Sequence, residues 1–303
     1  MKYFEFGKEN EELMVLLHGG GTSYLGVLPT AKKIAEKYHV VLLAYDGFNP
    51  SEPETEFQSL ACEAQGLEDY LIENYGGKVD ILYGLSYGCR TLMQVLEDNR
   101  LEITTTIADG MSLRDYPDIK SDFLKEVYLF FFTGTFFVIM GRAGKLRKRF
   151  LAKITGRSFE EADRILYTKA SWKSWKNQDK CLIGKKTDYS VFENTDMHIW
   201  YGIKGTVDKK LSANLEELKA KGYPFTCKIF EDMGHGGLIG ENTERFIEEV
   251  NAVHLQSKGK TEKRAALADR DPAFCGAADS LGLYAVLNTE DGMSHNKRRT
   301  EEI

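Results

Sequence analysis

The stretch that decides the fold is LYGLSYGCRTLMQVL, residues 82–96. An apolar run leads into it, a segment with helical spacing leaves it, and Ser86 stands between Gly84 and Gly88 where the two meet. A strand that turns sharply into a helix brings both backbones close together, so the residues beside the bend must be very small. The pattern predicts a strand–turn–helix unit that exposes the serine side chain at its apex.

Short apolar runs alternate with helix-like segments on both sides of this unit. Most of these runs are continuously apolar rather than alternating, which is typical of strands that are buried on both faces of a parallel sheet. The predicted strands cover residues 2–6, 13–17, 40–45, 79–83, 103–108, 197–202 and 226–232. We therefore expect an α/β fold, with a mostly parallel central sheet and helices on both faces.

The alternation is interrupted over residues 111–195, which are rich in aromatic and basic side chains. We interpret this interval as a helical cap insertion in a core formed by residues 1–110 and 196–255. After a helix predicted to end near residue 254, the composition becomes mixed in charge and loses its periodicity. Residues 256–303 are therefore predicted to form a disordered or loosely attached tail.

Composition narrows the class of function. The formal net charge of −6 argues against a nucleic-acid-binding protein, whose affinity depends on neutralising phosphates. The sequence has no apolar run of about 18 residues and no apolar core of a signal peptide near its start. Its five cysteines are scattered and form no CxxC pair, which favours reduced thiols, a cytoplasmic location and no structural metal site.

The serine at the predicted bend is either an ordinary helix N-cap or a nucleophile. A nucleophilic hydroxyl needs a base, and His235 follows the last predicted strand within a glycine-rich loop. A carboxylate must then orient the imidazole, and Asp208 is the acid in the loop after the strand at 197–202. The chain order Ser86, Asp208, His235 matches one of the known orders of a serine triad.

A tetrahedral oxyanion would also need backbone donors. The N–H of Tyr87 is one candidate, and Gly20, with Gly21 as an alternative, is the other. A phosphate-binding glycine loop is the competing interpretation of this segment, but its spacing does not match G-x-G-x-x-G. We therefore predict no nucleotide cofactor.

These motifs together resemble the α/β-hydrolase superfamily over roughly residues 1–255. The matching segments are LHGGG, YDGFNPS, GLSYG, WYG followed by an acid, and MGHGG. The resemblance implies the α/β-hydrolase fold and a serine enzyme that cleaves esters or amides without a metal or an organic cofactor. It also implies that residues 111–195 form the cap that shapes the substrate pocket.

The sequence departs from the family pattern at the acid. In many relatives the acid follows about three residues after the glycine that ends the strand, and that position is Gly205 here. Asp208 lies further along the chain, and Asp109, after the strand at 103–108, is the alternative acid.

The expected function is that of a serine hydrolase acting on a small-molecule ester through an acyl-enzyme. Aromatic residues are dense in the cap and suggest an apolar acyl group: Phe130, Phe131, Phe132, Phe136, Phe137, Trp172 and Trp175. An acyltransferase with the same triad and a non-catalytic small-molecule-binding protein on this scaffold remain alternatives. A membrane-surface lipase that binds lipid through the cap is a further alternative.

Overall fold

The computed structural model describes residues 1–113, 115–141, 145–167 and 169–270. The chain divides into two units, Met1–His254 and Leu255–Ile303. The account of the fold that follows concerns the first unit, which contains all the strands of the described residues.

A seven-stranded sheet forms the centre of this unit, in the order β1-β3-β2-β4-β5-β6-β7. Strand β1 pairs antiparallel with β3, and every other neighbouring pair is parallel. The strands are β1 Lys2–Phe6, β2 Leu13–Leu17, β3 His39–Ala44, β4 Lys78–Leu85, β5 Glu102–Asp109, β6 Asp196–Gly202 and β7 Thr226–Phe230. The mostly parallel sheet predicted from the sequence is confirmed.

Helices cover both faces of the sheet because the strands are apolar on both sides. Side chains of β2 show this division, since Val15 packs with helices α2 and α3 whereas Met14 and Leu16 pack with α1 and the first turns of α11. These helices are α1 Leu28–Ile34, α2 Leu60–Tyr75, α3 Gly88–Asp98 and α11 Thr243–Arg270.

The interval between β5 and β6 contains the predicted helical insertion. Its helices are α4 Asp122–Gly141, α5 Lys145–Thr155, α6 Phe159–Ile165 and α7 Trp172–Lys180. We call these four helices and the segments that join them the cap. No helix within the described ranges has the length and apolar character needed to cross a membrane.

The chain after β6 differs in detail from the prediction. The sequence of residues 209–221 predicts a single helix, whereas the structure forms α8 Val207–Leu211 and α9 Leu215–Ala220, with a 3-10 turn between them. A short helix, α10 Gly237–Glu241, precedes α11, and α11 continues to Arg270 rather than ending near residue 254. The rest of the predicted tail, residues 271–303, lies outside the described residues.

The bend between β4 and α3 has the close backbone approach that its glycines predict. A Cβ atom on Gly84 would lie 2.8 Å from the carbonyl carbon of Gly88. A Cβ atom on Gly88 would overlap the carbonyl oxygen of Leu17 at the end of the neighbouring strand. Only glycine fits at both positions, and this holds the serine between them at the carboxyl edge of the sheet.

Candidate active site

Ser86 occupies the bend itself and has a backbone φ of +55°. A non-glycine residue in this left-handed region is strained, and such strain persists only where the surrounding structure enforces it. Here β4 ends at Leu85, α3 begins at Gly88, and the Ser86 N–H donates a 2.7 Å hydrogen bond to the carbonyl oxygen of Asp109. The sheet therefore fixes the position of the serine from both sides.

His235 lies in the loop after β7 and is hydrogen-bonded to the acid that the sequence placed after β6. Its Nδ1 bonds to Oδ1 of Asp208, a side chain that is fully buried. The second carboxylate oxygen of Asp208 accepts a 2.8 Å hydrogen bond from the Gly202 N–H. With the proton on Nδ1 held by the carboxylate, Nε2 of His235 is left to accept another proton.

The unusual spacing of the acid follows from the path of the loop between β6 and α8. A side chain on Gly205 is impossible because its Cβ would lie 2.6 Å from the Gly156 nitrogen and close to the Ile154 carbonyl. The Thr206 N–H donates a 2.8 Å hydrogen bond to that same carbonyl. The chain thus passes against the cap before α8 begins, and Asp208 in its first turn points back to the sheet edge.

Asp109, the alternative acid, is also buried near this edge but has a different partner. The Tyr83 hydroxyl donates a 2.7 Å hydrogen bond to its Oδ2. Burial, with the nearby charge of Asp208, raises the pKa of the Asp109 carboxyl to about 6. The acid that is hydrogen-bonded to His235 is therefore Asp208.

His18, in the glycine-rich loop after β2, is a second histidine near this edge of the sheet. Its ring is almost completely buried, and its Nδ1 hydrogen-bonds to the Gly19 carbonyl at 3.0 Å. Burial lowers the pKa of His18 to about 4, so its imidazole is neutral at physiological pH. Its Nδ1 also lies 3.4 Å from the Thr22 hydroxyl, so the ring is held within its own loop.

A cavity of about 280 Å³ opens over this edge, and Ser86 and His235 both line it. We call it the Ser86 cavity. Within the described residues no hydrogen bond joins the Ser86 hydroxyl to the His235 ring, and such contacts often tighten only when substrate binds.

The two backbone donors predicted for an oxyanion differ in their placement. Gly20 and Tyr87 both line the Ser86 cavity, and a Cβ on Gly20 would lie 3.0 Å from the Tyr87 Cβ. Gly21 instead turns its carbonyl to the cap, where it accepts a 3.1 Å hydrogen bond from the Tyr167 N–H. Gly20 is thus the better placed of the two glycines.

Helices of the cap supply the opposite wall of the cavity, which is largely apolar. Of the cap aromatics, Phe132 and Trp175 line the cavity. Phe130 and Phe131 face outward, with 64% and 68% of their surface exposed. Trp172 packs edge-on against Phe130, and the side chains at 136 and 137 lie outside the described residues. The aromatic density of the sequence is therefore shared between the cavity and the protein surface.

Several polar side chains of the cavity were not predicted from the sequence, among them Arg90, Arg157, Gln178 and Asp179. Arg90 carried no local signal, because a helical arginine is usually solvated. Arg157 and Gln178 come from the cap, where their proximity to Ser86 depends on long-range packing and has no local signature.

The remaining side chains that could bind a metal or react are the acidic, histidine and cysteine side chains. Among the described residues no group of three or more His, Cys, Asp or Glu side chains is arranged to hold a metal ion. Cys62, Cys89, Cys181 and Cys227 are free thiols, and Cys275 lies outside the described residues.

Comparison with solved structures shows the same architecture in several enzymes. An esterase from Thermogutta terrifontis is 16% identical, with a TM-score of 0.60 over 84% of this chain and 93% of that one. A lipase-esterase related protein from Clostridium acetobutylicum is 16% identical, with a TM-score of 0.58 over 83% and 98%. The epoxide hydrolase CorEH is 16% identical, with a TM-score of 0.58 over 84% and 94%. At such identities the likeness concerns the fold alone.

No curated protein matches this chain in sequence. The model of the alpha/beta hydrolase family, however, matches residues 14–249, which include the bend at Ser86, the cap, Asp208 and His235. The family match over residues 14–249 agrees with the observed sheet topology, and the chain belongs to the alpha/beta hydrolase family.

Proposed function

We propose that this protein is a serine hydrolase that cleaves carboxylic esters through an acyl-enzyme. The observation that carries the proposal is that the strained Ser86 and His235 line one cavity. Nδ1 of that histidine is hydrogen-bonded to the buried carboxylate of Asp208. That combination supplies a nucleophile, a base with its accepting nitrogen free, and a carboxylate to stabilise the imidazolium.

In the proposed reaction Ser86 Oγ attacks the ester carbonyl while His235 Nε2 takes its proton. The negative charge that develops on the carbonyl oxygen is stabilised by the N–H groups of Tyr87 and Gly20. His235 then gives the proton to the departing alcohol, which leaves an acyl group on Ser86. A water molecule, deprotonated by His235, releases the acid and restores the serine.

Two of the three alternatives raised from the sequence concern the catalytic mechanism itself. A non-catalytic binding protein would be favoured if the displaced acid could not reach the histidine. The hydrogen bond between Asp208 and His235 supports the catalytic interpretation instead. Acyl transfer remains a variant of the same mechanism, because the acyl-enzyme can pass its acyl group to an alcohol or amine instead of water.

Labelling with a fluorophosphonate probe tests the nucleophile directly. We expect strong labelling of the wild-type protein and none of Ser86→Ala. Ser112→Ala is the matched control, because Ser112 lines the same cavity and its variant should label like the wild type. Absence of labelling in folded wild-type protein would favour the non-catalytic alternative.

Turnover of p-nitrophenyl esters of graded acyl length then tests the reaction class. Hydrolysis by the wild type and its loss in Ser86→Ala are expected, with a preference among chain lengths set by the apolar cap wall. Faster release of p-nitrophenol on addition of a simple alcohol, with formation of the new ester, would identify acyl transfer instead.

A further inference from the structure

We propose that the Ser86 cavity selects half-esters, in which the substrate carries a free carboxylate besides the ester, and that Arg90 binds this carboxylate. This inference extends the proposed function and rests on it for the claim that the substrate is an ester. The carboxylate site itself depends only on the geometry around Arg90.

Arg90 is a buried cation whose charge has no acidic partner in the described part of the chain. Only 8% of its surface is exposed, and its Nη1 donates a 3.1 Å hydrogen bond to the Thr187 hydroxyl. Its Nη2 is fully buried and has no hydrogen-bond partner. A guanidinium remains charged at all physiological pH values, so burying it unpaired is strongly unfavourable unless an anion completes the site.

The guanidinium belongs to the same cavity as the serine. Arg90 lies in the first turn of α3, four residues after Ser86, and both line the Ser86 cavity. The Tyr116 ring, which also lines this cavity, lies 5.5 Å from the guanidinium carbon. A cation over an aromatic ring is held in orientation but is not neutralised.

Other unpaired groups on the cavity wall are mainly donors. Nε2 of Gln178 and Nε1 of Trp175 are buried without a partner, and both residues line the cavity. Among the described residues that line the cavity, Oδ2 of Asp179 is the buried acceptor without a partner. Burial raises the pKa of the Asp179 carboxyl to about 7, so its repulsion of an anion is weakest below that pH and grows as the pH rises.

The balance of charge favours a carboxylate over a phosphate. Arg157 is the other cationic side chain among the described residues of the cavity wall, and it is already paired with Glu161 and bonded to the His235 carbonyl. One positive charge is therefore left to be neutralised. A carboxylate carries a single negative charge and matches the two-pronged donor geometry of a guanidinium.

A matched pair of esters tests this selection. We compare monoethyl glutarate with ethyl 4-carbamoylbutanoate, in which a neutral amide replaces the carboxylate, and follow acid release at constant pH. The wild type should have the higher kcat/KM on the half-ester, and Arg90→Met should lower the ratio of the two values by about 10- to 100-fold. Monoethyl succinate and adipate then locate the best spacing between ester and carboxylate.

The control variant is Arg245→Met, which removes a surface arginine paired with Asp232 and should leave the ratio unchanged. A wild-type ratio near one, or a ratio that Arg90→Met does not lower, would overturn the proposal. If Arg90→Met is not folded by near-ultraviolet circular dichroism, Arg90→Gln takes its place under the same criteria.

Calorimetric titration separates this inference from the proposed function. Glutarate should bind Ser86→Ala more tightly than glutaramide does, and the double variant Ser86→Ala, Arg90→Met should lose that preference. If no ester is hydrolysed but glutarate binds through Arg90, the proposed function fails and the carboxylate site stands. If esters are hydrolysed but neither assay shows an Arg90-dependent preference for the anion, only the carboxylate site fails.

Discussion

The two walls of the Ser86 cavity are built in different ways. The wall on the sheet side carries Ser86, directly after β4, and His235, in the loop after β7, with buried Asp208 in the first turn of α8 hydrogen-bonded to the histidine. The wall on the cap side consists of helices that also expose large aromatic side chains to solvent. The sheet side therefore carries the groups proposed for the chemistry together with Arg90, whereas the cap contributes most of the apolar lining of the cavity.

The largest effect should come from the acid on the sheet side. Asp208→Asn should lower the kcat for ester hydrolysis about 10⁴-fold, because the amide no longer fixes the His235 tautomer or stabilises its cation. Asp109→Asn keeps an oxygen that can accept the Tyr83 hydrogen bond and should change kcat less than about tenfold. The reverse ranking, measured at saturating substrate, would assign the acid to Asp109.

Two Gly→Ala substitutions compare how one added methyl group changes stability at the bend after β4 and within cap helix α4. Gly88→Ala would force its Cβ into the Leu17 carbonyl and should reduce the free energy of unfolding by about 3 kcal/mol. Gly134→Ala, within α4, meets Trp172 at an ordinary 3.9 Å and should raise that free energy by about 0.5–1 kcal/mol. Urea denaturation gives both values, and a stable Gly88→Ala would contradict the close approach at the bend.

A buried acid on the cap side should make stability depend on pH. Burial raises the pKa of Asp179 to about 7, so between about pH 4 and 7 the folded protein keeps a proton that the unfolded chain has lost. Its contribution to stability is therefore complete at low pH and falls as the pH rises through this window.

Asp179→Asn removes that titration. Relative to the wild type, the variant's free energy of unfolding should rise by on the order of 4 kcal/mol between pH 4 and pH 8. Thermal melts of both proteins across this range measure the difference. Parallel curves would mean that the carboxyl is solvated or paired in solution.

The smallest effect separates the two faces of helix α4. Phe132→Ala, on the cavity side, should lower kcat/KM for a p-nitrophenyl ester of medium chain length about tenfold through lost apolar contact. Phe131→Ala, on the exposed side, should change it less than about twofold in the absence of lipid. Equal losses in both variants would show that the outer face also contributes to substrate binding.

The sheet was predictable because most of its strands are nearly continuous apolar runs, a pattern that is visible without knowledge of tertiary contacts. Predicted and observed strand ends differ by two residues at most, as in β4. The division of the chain after β6 into α8 and α9 was missed, since the contact between Gly205 and the cap that directs this segment is distant in sequence.

The candidate site was predictable to the extent that local motifs encode it. Ser86 and His235 stand beside glycines that only tight turns require. The choice between Asp208 and Asp109 stayed open, because it depends on the path of a loop around cap residues 154–156. Arg90 was missed for another reason, since a helical arginine is usually solvated and only its burial without an acid marks it.

One short segment of the cap, residues 154–157, is hydrogen-bonded to the loops that follow β6 and β7. Its Thr155 carbonyl accepts a 2.7 Å hydrogen bond from the His235 N–H, its Ile154 carbonyl accepts one from Thr206, and Arg157 donates to the His235 carbonyl. The positions of His235 and of the loop before α8 therefore depend on the cap. A different cap would keep His235 in place only if it supplied equivalent backbone acceptors and an equivalent arginine.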